Sequence, residues 1–423
     1  MTILHVDVNS AFLSWTAIKL LSEGYPVDIR EIPSVIAAGD DGSRHAIVLA
    51  KSVPAKRYGI KTADTMFSAR KACPNLVSFL PDFALFKFHS DRMFELLSEY
   101  SPVIERFSID ECFIDYTGCE ALFGEPLCVA HEINRRIREE LGFTVNVGVG
   151  PNRLLAKMAS DFEKPDKVHT LFPDEIEKKM WPLPVDELFM CGRSSAKKLH
   201  SININTIGEL AHADLEMLLG MFKSHGRMLW EYANGIDDSP VSVNDDVKEK
   251  SVGNSITTKS DLTAPEEAYP ILLWLCEKTV HRMRKAGFMA SVITLQFRNS
   301  DFVTYSHQMK VSGAVQTVDE VYAYAKKIFN EGWHEDPLRL VGVSLGGLVT
   351  EASEQLSFLG PAYSPAKAVA APEIEKPEDK IKRKEKSEAL ENALAQIRDK
   401  YGNDSVGHFG SFKPPKRPKM PKR

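Results

Sequence analysis

No run of apolar residues in this 423-residue chain approaches the ~18 that a membrane-spanning helix needs. The N-terminus, Met1-Thr2-Ile3-Leu4-His5-Val6-Asp7, also lacks a basic region followed by a cleavable apolar stretch and goes straight into a strand-like pattern. The expectation is a cytoplasmic protein with no signal peptide and no membrane association. Cysteine is scarce: Cys73, Cys112, Cys119, Cys128, Cys191 and Cys276 form no C-x-x-C pair and read as ordinary buried thiols. Net positive charge is missing too. A formal charge of −5 gives no bulk support for binding nucleic acid. The charge is uneven, however: residues 371–423 carry 14 Lys/Arg against 9 Asp/Glu, leaving 39 against 49 for the other 370 residues.

A hydrophobic content of 43% with 26% charge describes a soluble globular protein, and the length points to three or four domains. Residues 3–9 read as a buried strand, 10–22 as a helix, 46–50 as a strand and 83–100 as a helix. Residues 103–116 read as a hairpin, 126–141 as a helix stopped by Gly142, 143–148 as a strand and 152–162 as a helix. Hairpin strands among the helices argue for an α+β sheet rather than a doubly wound one. Residues 174–233 hold only short helical runs broken by Pro and Gly, and 236–250 are polar, as in a linker. Residues 251–350 alternate strand, helix, two strands, helix and strand. Beyond Leu359 the chain turns to Pro, Ala and Lys, with one amphipathic helix over 385–400 and a basic end from Lys413 that cannot fold by itself.

Three segments carry candidate chemistry: His5-Val6-Asp7-Val8-Asn9-Ser10-Ala11-Phe12, Phe107-Ser108-Ile109-Asp110-Glu111-Cys112-Phe113, and Asn146 through Lys157 to Asp161. One aspartate closing a strand is an ordinary turn residue, and one Asp-Glu pair is an ordinary charged turn. Two apolar strands that both end in carboxylates are different, because converging carboxylates repel and need a cation. Adjacent strand residues point to opposite faces, so Asp110 and Glu111 share a site only if the chain turns or bulges there.

In order and spacing these segments resemble Y-family DNA polymerases, in particular the DNA polymerase IV branch, with an Asp-Val-Asn start similar to the UmuC branch. The resemblance covers residues 1 to about 350. It implies a multidomain right-hand α+β fold: a palm with a mixed or antiparallel sheet (1–18 and 78–165) and small fingers (19–77). A helical thumb with a helix-hairpin-helix (166–235), the linker (236–250), an α+β little finger (251–350) and a tail (351–423) complete it. The implied activity is low-fidelity, translesion, DNA-templated DNA synthesis on primer-template DNA with deoxynucleoside triphosphates, by a monomer using two Mg²⁺ ions. Asp7, Asp110 and Glu111 match the family's metal carboxylates and the Val8 carbonyl its backbone ligand. Lys157 matches its triphosphate lysine. Phe12 matches the steric gate against ribonucleotides, although a Phe at this spacing also reads as core. Three positions depart from the pattern: Ala11 replaces an aromatic, and Val53 and Lys56 stand where the family has a Tyr and an Arg. Lys56 keeps a charge but not a bidentate fork.

Pro184–Leu210 resembles a helix-hairpin-helix, with Gly192 and Arg193 as candidate DNA-backbone contacts and Met190 and Asn203 where glycines are usual; a plain helical pair is the alternative. Arg282, Arg284 and Arg298 are candidate DNA contacts of the little finger, the first two also reading as a solvated helix end. Gln355, Leu356, Phe358 and Leu359 resemble a peptide that holds the sliding clamp, or else simply end the last strand. Two rival readings are a catalytically dead scaffold, against which all three carboxylates argue, and a palm-fold nucleotide cyclase, which needs neither hairpin nor little finger.

Overall fold

The computed structural model describes residues 1–38, 46–243 and 249–350, and in the tail 386, 389–394, 396–398, 400–402, 405 and 406. The chain divides into two units, Met1–Val247 and Lys248–Arg423.

In the first unit, the chain order begins β1 (Ile3–Val8), α1 (Ala11–Ser22), β2 (Ser34–Ala38), β3 (Ile47–Lys51), α2 (Val53–Lys56), α3 (Met66–Ala72) and β4 (Val77–Phe79). It continues with α4 (Phe83–Leu97), β5 (Ile104–Arg106), β6 (Glu111–Asp115), α5 (Glu120–Phe123), α6 (Pro126–Arg136), β7 (Val145–Gly150), α7 (Arg153–Asp161) and β8 (Val168–Thr170). A π-helical turn, Ile137–Leu141, extends α6 up to Gly142, whose φ of +78° ends it. A five-stranded sheet runs β5-β6-β1-β7-β8, antiparallel except for the parallel β7–β8 pair. Every residue of β1 and β7 is buried, as expected of central strands covered on both faces. Leu4, Val6 and Val8 point into a core shared with α1, α4 and α6, around Trp15, Phe86 and Ile133.

A second sheet, β3-β2-β4, forms the compact region expected for the fingers. Short helices follow: α8 (Ile176–Lys179), α9 (Arg193–His200), α10 (Ile207–Ala211), α11 (Leu215–Phe222) and α12 (Ser224–Ala233), packed on their own core with Leu154, Leu155 and Met158 of α7. The right-hand α+β architecture expected from the sequence is thus present. Two boundaries move. The palm sheet continues to Thr170, past residue 165, and the start of the expected linker is not free chain. Val241 is buried against Ile3, Phe113 and Ala156. Asp237 accepts the Leu154 amide at 3.0 Å, and the Ser242 amide donates to Glu105 at 2.9 Å.

The second unit is a four-stranded antiparallel sheet, β11-β10-β12-β9, built from β9 (Ser251–Leu262), β10 (Met289–Asn299), β11 (Thr304–Val315) and β12 (Leu338–Val349). Helices α13 (Pro265–Lys285) and α14 (Val318–Gly332) cover one face, burying Ile293, Leu295 and Phe297. The alternate residues of β10 and β11, among them Gln296, Arg298, Thr304, Ser306, Gln308 and Lys310, line the uncovered face. The described part of the 385–400 segment is helical and belongs to this unit, with the buried Arg398 guanidinium 3.6 Å from Glu277.

Candidate active site

Antiparallel pairing places Asp7 of β1 directly across from Glu111 of β6, and His5 across from Phe113, so these four side chains share one face of the sheet. Asp110 escapes the strand's alternation because β6 begins only at Glu111. Residues 108–110 form a bend in which Ser108 Oγ donates to Asp110 Oδ1 at 2.6 Å, and the Asp110 carbonyl accepts the Val8 amide at 3.0 Å. This is the turn that the adjacent carboxylates required.

Helix α7 lies over the same face. Its close approach depends on Gly148 and Gly150, since a Cβ at Gly148 would strike the Ala156 carbonyl and one at Gly150 would sit 2.7 Å from the Ala156 amide. Asn152 caps the helix by accepting the Leu155 amide at 2.8 Å. The result brings Lys157 Nζ within 3.2 Å of Glu111, 3.4 Å of Asp161 and 3.5 Å of Asp7. Lys164, beyond the helix end, reaches Asp7 at 2.7 Å and Asp161 at 2.8 Å.

Burial alone would lower both ammonium groups, but the surrounding carboxylates outweigh it and raise them. The Asp161 carboxyl is held down: burial works to raise it, and Lys157 and Lys164 prevail. Asp110 moves the other way. Its burial raises it above the usual carboxylate range, Ser108 opposes, and the charges of Asp7 and Glu111 add to the rise. His5, fully buried, is pushed down to about 3, first by desolvation and then by Lys157.

A divalent cation fits this donor set. The carboxylates are hard oxygen ligands, and Asp110 is under repulsion from its two neighbours. Among the described residues no three His, Cys, Asp or Glu side chains are gathered tightly enough to hold an ion as they stand; the lysines supply the positive charge there.

Beside the carboxylates lies a cavity of about 190 Å³ lined by Val8, Ser10, Ala11, Phe12, Lys51, Lys56, Thr62 and Asp110, with Leu49 and Ala50 behind. Phe12 is partly buried against the core and also lines the cavity. One side stacks on Phe86 at 4.5 Å between ring centroids and the other faces the cavity. Lys56 is exposed and lines the same cavity. Lys157 is not among the cavity residues and sits buried among carboxylates, whereas Lys164 is about one-third exposed. Sequence reasoning missed Lys51, which donates to Thr62 at 3.1 Å, and also Lys164, although its position just after the Ser160-Asp161 run was a readable signal.

Among the other candidates, Arg193 is exposed at the first turn of α9, but the Gly192 amide is already bonded to the Met190 carbonyl. Met190 and Asn203 both adopt left-handed backbone, at φ of +67° and +62°, in place of the expected glycines. Arg282 donates to the Gly253 carbonyl, and Arg284 to the Gln316 carbonyl and Asn392. Both belong to the helical layer, whereas Arg298 stands on the uncovered sheet face, bonded to Thr304. Residues 355–359 lie outside the described residues.

Comparison with known proteins matches residues 6–161 to the impB/mucB/samB family and residues 249–358 to that family's C-terminal domain. A DNA polymerase IV of Clostridium acetobutylicum is 47% identical over 405 residues, spanning 96% of each chain. A DNA polymerase IV of Moorella thermoacetica is 37% identical over 403 residues, 95% of this chain and 94% of the relative. Among solved structures, a Y-family DNA polymerase chimera, Dbh-Dpo4(243-245)-Dbh, matches at a TM-score of 0.72 and 22% identity, covering 83% of this chain and all of the chimera. DinB from Sulfolobus solfataricus matches at 0.54 and 23%, covering 82% and 98%. At these identities the two structures establish the fold.

Proposed function

The chain belongs to the impB/mucB/samB family of Y-family DNA polymerases, and from that premise we propose how its residues extend a primer. It is a DNA-directed DNA polymerase of the translesion type, acting on primer-template DNA with deoxynucleoside triphosphates. The observation that carries the site assignment is the convergence of Asp7, Asp110 and Glu111 beside the cavity lined by Phe12 and Lys56.

Asp7, Asp110, Glu111 and the Val8 carbonyl would hold two Mg²⁺ ions. Such ions, when bound, lower the pKa of the primer hydroxyl and neutralise the triphosphate and leaving pyrophosphate. Phe12 excludes a 2′-hydroxyl by filling the space beneath the sugar. Lys56 and Lys51 face the incoming nucleotide's phosphates from the fingers side, and the partly exposed Lys164 from the palm. Lys157, which holds Asp7 and Glu111 together here, would contact the triphosphate.

DNA contact falls to Arg193 at the hairpin and to the uncovered face of the second unit. There Arg298 and Lys310 stand among small polar residues and the flat Gly342 and Gly346, which lets a phosphate backbone approach. Gln355, Leu356, Phe358 and Leu359 would engage a sliding clamp, with the enzyme acting as a monomer. Among the described residues no helix is long and apolar enough to cross a membrane.

Primer extension by Asp110→Ala tests the core of this reading. Extension should fall by at least about a hundredfold, in the range seen when a transition-state charge partner is lost, while duplex binding survives because phosphate contacts hold the DNA. Extension near the unmodified rate would reject the site.

A further inference from the structure

Two buried polar atoms at the metal-facing end of the sheet confront each other without a hydrogen bond: Nε2 of His5 and Oε2 of Glu111, 3.4 Å apart. On the other side of the ring, Nδ1 is 2.8 Å from Ser160 Oγ, and that oxygen is also 2.8 Å from the main-chain oxygen of Lys157. The serine has one hydrogen and two acceptors competing for it.

The two choices have unequal consequences. If the hydroxyl donates to the Lys157 carbonyl, Nδ1 must carry the ring hydrogen, and Nε2 turns a lone pair onto a carboxylate oxygen. Two acceptors then face each other in a buried site, with only the Lys157 ammonium, 3.2 Å from Glu111 Oε2, to offset their repulsion, a costly arrangement for polar atoms. If the hydroxyl donates to Nδ1, the ring hydrogen sits on Nε2 and points at Glu111. A carbonyl inside a helix loses little by this, because the amide four residues on is its regular partner. A contraction of about 0.3 Å would then bring the pair within ordinary hydrogen-bond range.

We propose that His5 is the Nε2–H tautomer, fixed by a hydrogen bond from Ser160, and that it positions Glu111 by donating to Oε2. His5 is a positioning residue here. With Lys157 on the same oxygen at 3.2 Å, it sets the carboxylate plane and leaves the second oxygen for a cation. The surroundings hold the ring in place: Phe113 packs against it at 4.5 Å, and Gly148, its partner across β7, leaves room for α7 and Ser160 to close over it. A donor to the outer oxygen of a metal-binding carboxylate commonly changes metal affinity by about 10–100-fold. The proposal rests on reading Glu111 as a metal-facing carboxylate.

The tautomer is directly readable. The full chain labelled with ¹⁵N-histidine gives long-range ¹H–¹⁵N correlations in which the nitrogen coupled to both ring C–H hydrogens is Nε2. The His5 signals are identified by their loss in His5→Gln. Nε2 at the shift of a protonated nitrogen with a bare Nδ1 is the expected result; Nδ1–H, or hydrogens on both, overturns the proposal. A second arm compares His5→Gln, whose amide donor falls near the Nε2 position, with His5→Asn, whose donor falls near Nδ1. The asparagine variant should need about tenfold more Mg²⁺ for half-maximal extension and the glutamine variant less than about threefold more, at matched melting temperature and duplex binding. Equal shifts in the two variants would make His5 a packing residue only. Glu111→Gln separates this from its premise: normal extension by that variant removes Glu111 from the metal site, while the spectra still decide the tautomer.

Discussion

The proposed sugar selection rests on a single ring. Phe12 is held by its stack on Phe86 and by Trp15, with ring centroids 4.5 and 6.2 Å away, so it cannot swing aside for a hydroxyl without unpacking the core. Phe12→Ala should raise ribonucleotide incorporation relative to deoxyribonucleotide by about tenfold or more, the ratio that ~1.4 kcal/mol of steric exclusion provides. The same change removes a half-buried aromatic and should lower stability by about 1–3 kcal/mol, so competition assays belong well below the melting temperature. Unchanged discrimination by a folded, active variant would make Phe12 a core residue and transfer the gate elsewhere. Met190 shows the opposite balance at residue scale. A non-glycine side chain sits at φ +67° in the hairpin and bears roughly 1–2 kcal/mol of backbone cost. The turn forms nonetheless, because Leu188 before it and Ala196 and Leu199 of α9 after it are buried in one core.

Elements reach the site through their ends, and those ends were only partly visible in the sequence. The helix α4 that carries Phe86 starts at Asp82, whose carboxylate caps it by accepting the Leu85 amide at 3.2 Å and binds Lys19 of α1 at 3.0 Å. One residue therefore fastens together the two helices that carry Phe12 and Phe86. The Lys19 hydrogen bond, ahead of the opposing effect of burial, holds the Asp82 carboxyl below its ordinary value. A depressed carboxylate contributes stability above its unfolded pKa of about 4 and loses it as pH falls through the lower folded value. Asp82→Ala should cost about 1 kcal/mol near neutrality, the usual worth of a cap, and the gap to the unmodified protein in thermal melts should close below about pH 4. A gap that persists in acid would place the effect in packing instead. Strands and helices with clear periodicity, such as β1, β7, α7, α13 and α14, were legible within two or three residues because burial writes the pattern. Polar segments held by tertiary contacts write none. The three residues of β8, the anchoring of Asp237 and Val241, and the reach of Lys164 back to Asp7 depend on what lies across the fold. Asp110, by contrast, was legible as a problem: alternation forbade it from sharing Glu111's face, and the bend at 108–110 is the answer.

At the scale of the whole molecule, charge and tethering act together. The body of the chain is acidic, 39 Lys/Arg to 49 Asp/Glu outside residues 371–423, and salt-dependent phosphate contacts supply much of any polymerase's hold on DNA. A clamp-binding peptide would offset that deficit by making rebinding an event at high effective concentration. Replacing Gln355, Leu356 and Phe358 with Ala should leave extension in a single encounter unchanged and abolish its stimulation by the clamp. Equal stimulation of both proteins would remove the peptide from the mechanism. The docking of residues 237–242 has a different kind of consequence, for anyone who divides or recombines this protein. A fragment ending at Gly235 would leave the Leu154 amide without Asp237, Arg153 without the Ser239 hydroxyl 3.2 Å from it, and Ile3, Phe113 and Ala156 without Val241. Modules exchanged between relatives should therefore keep residues 237–242 with the catalytic half, as its last stitch.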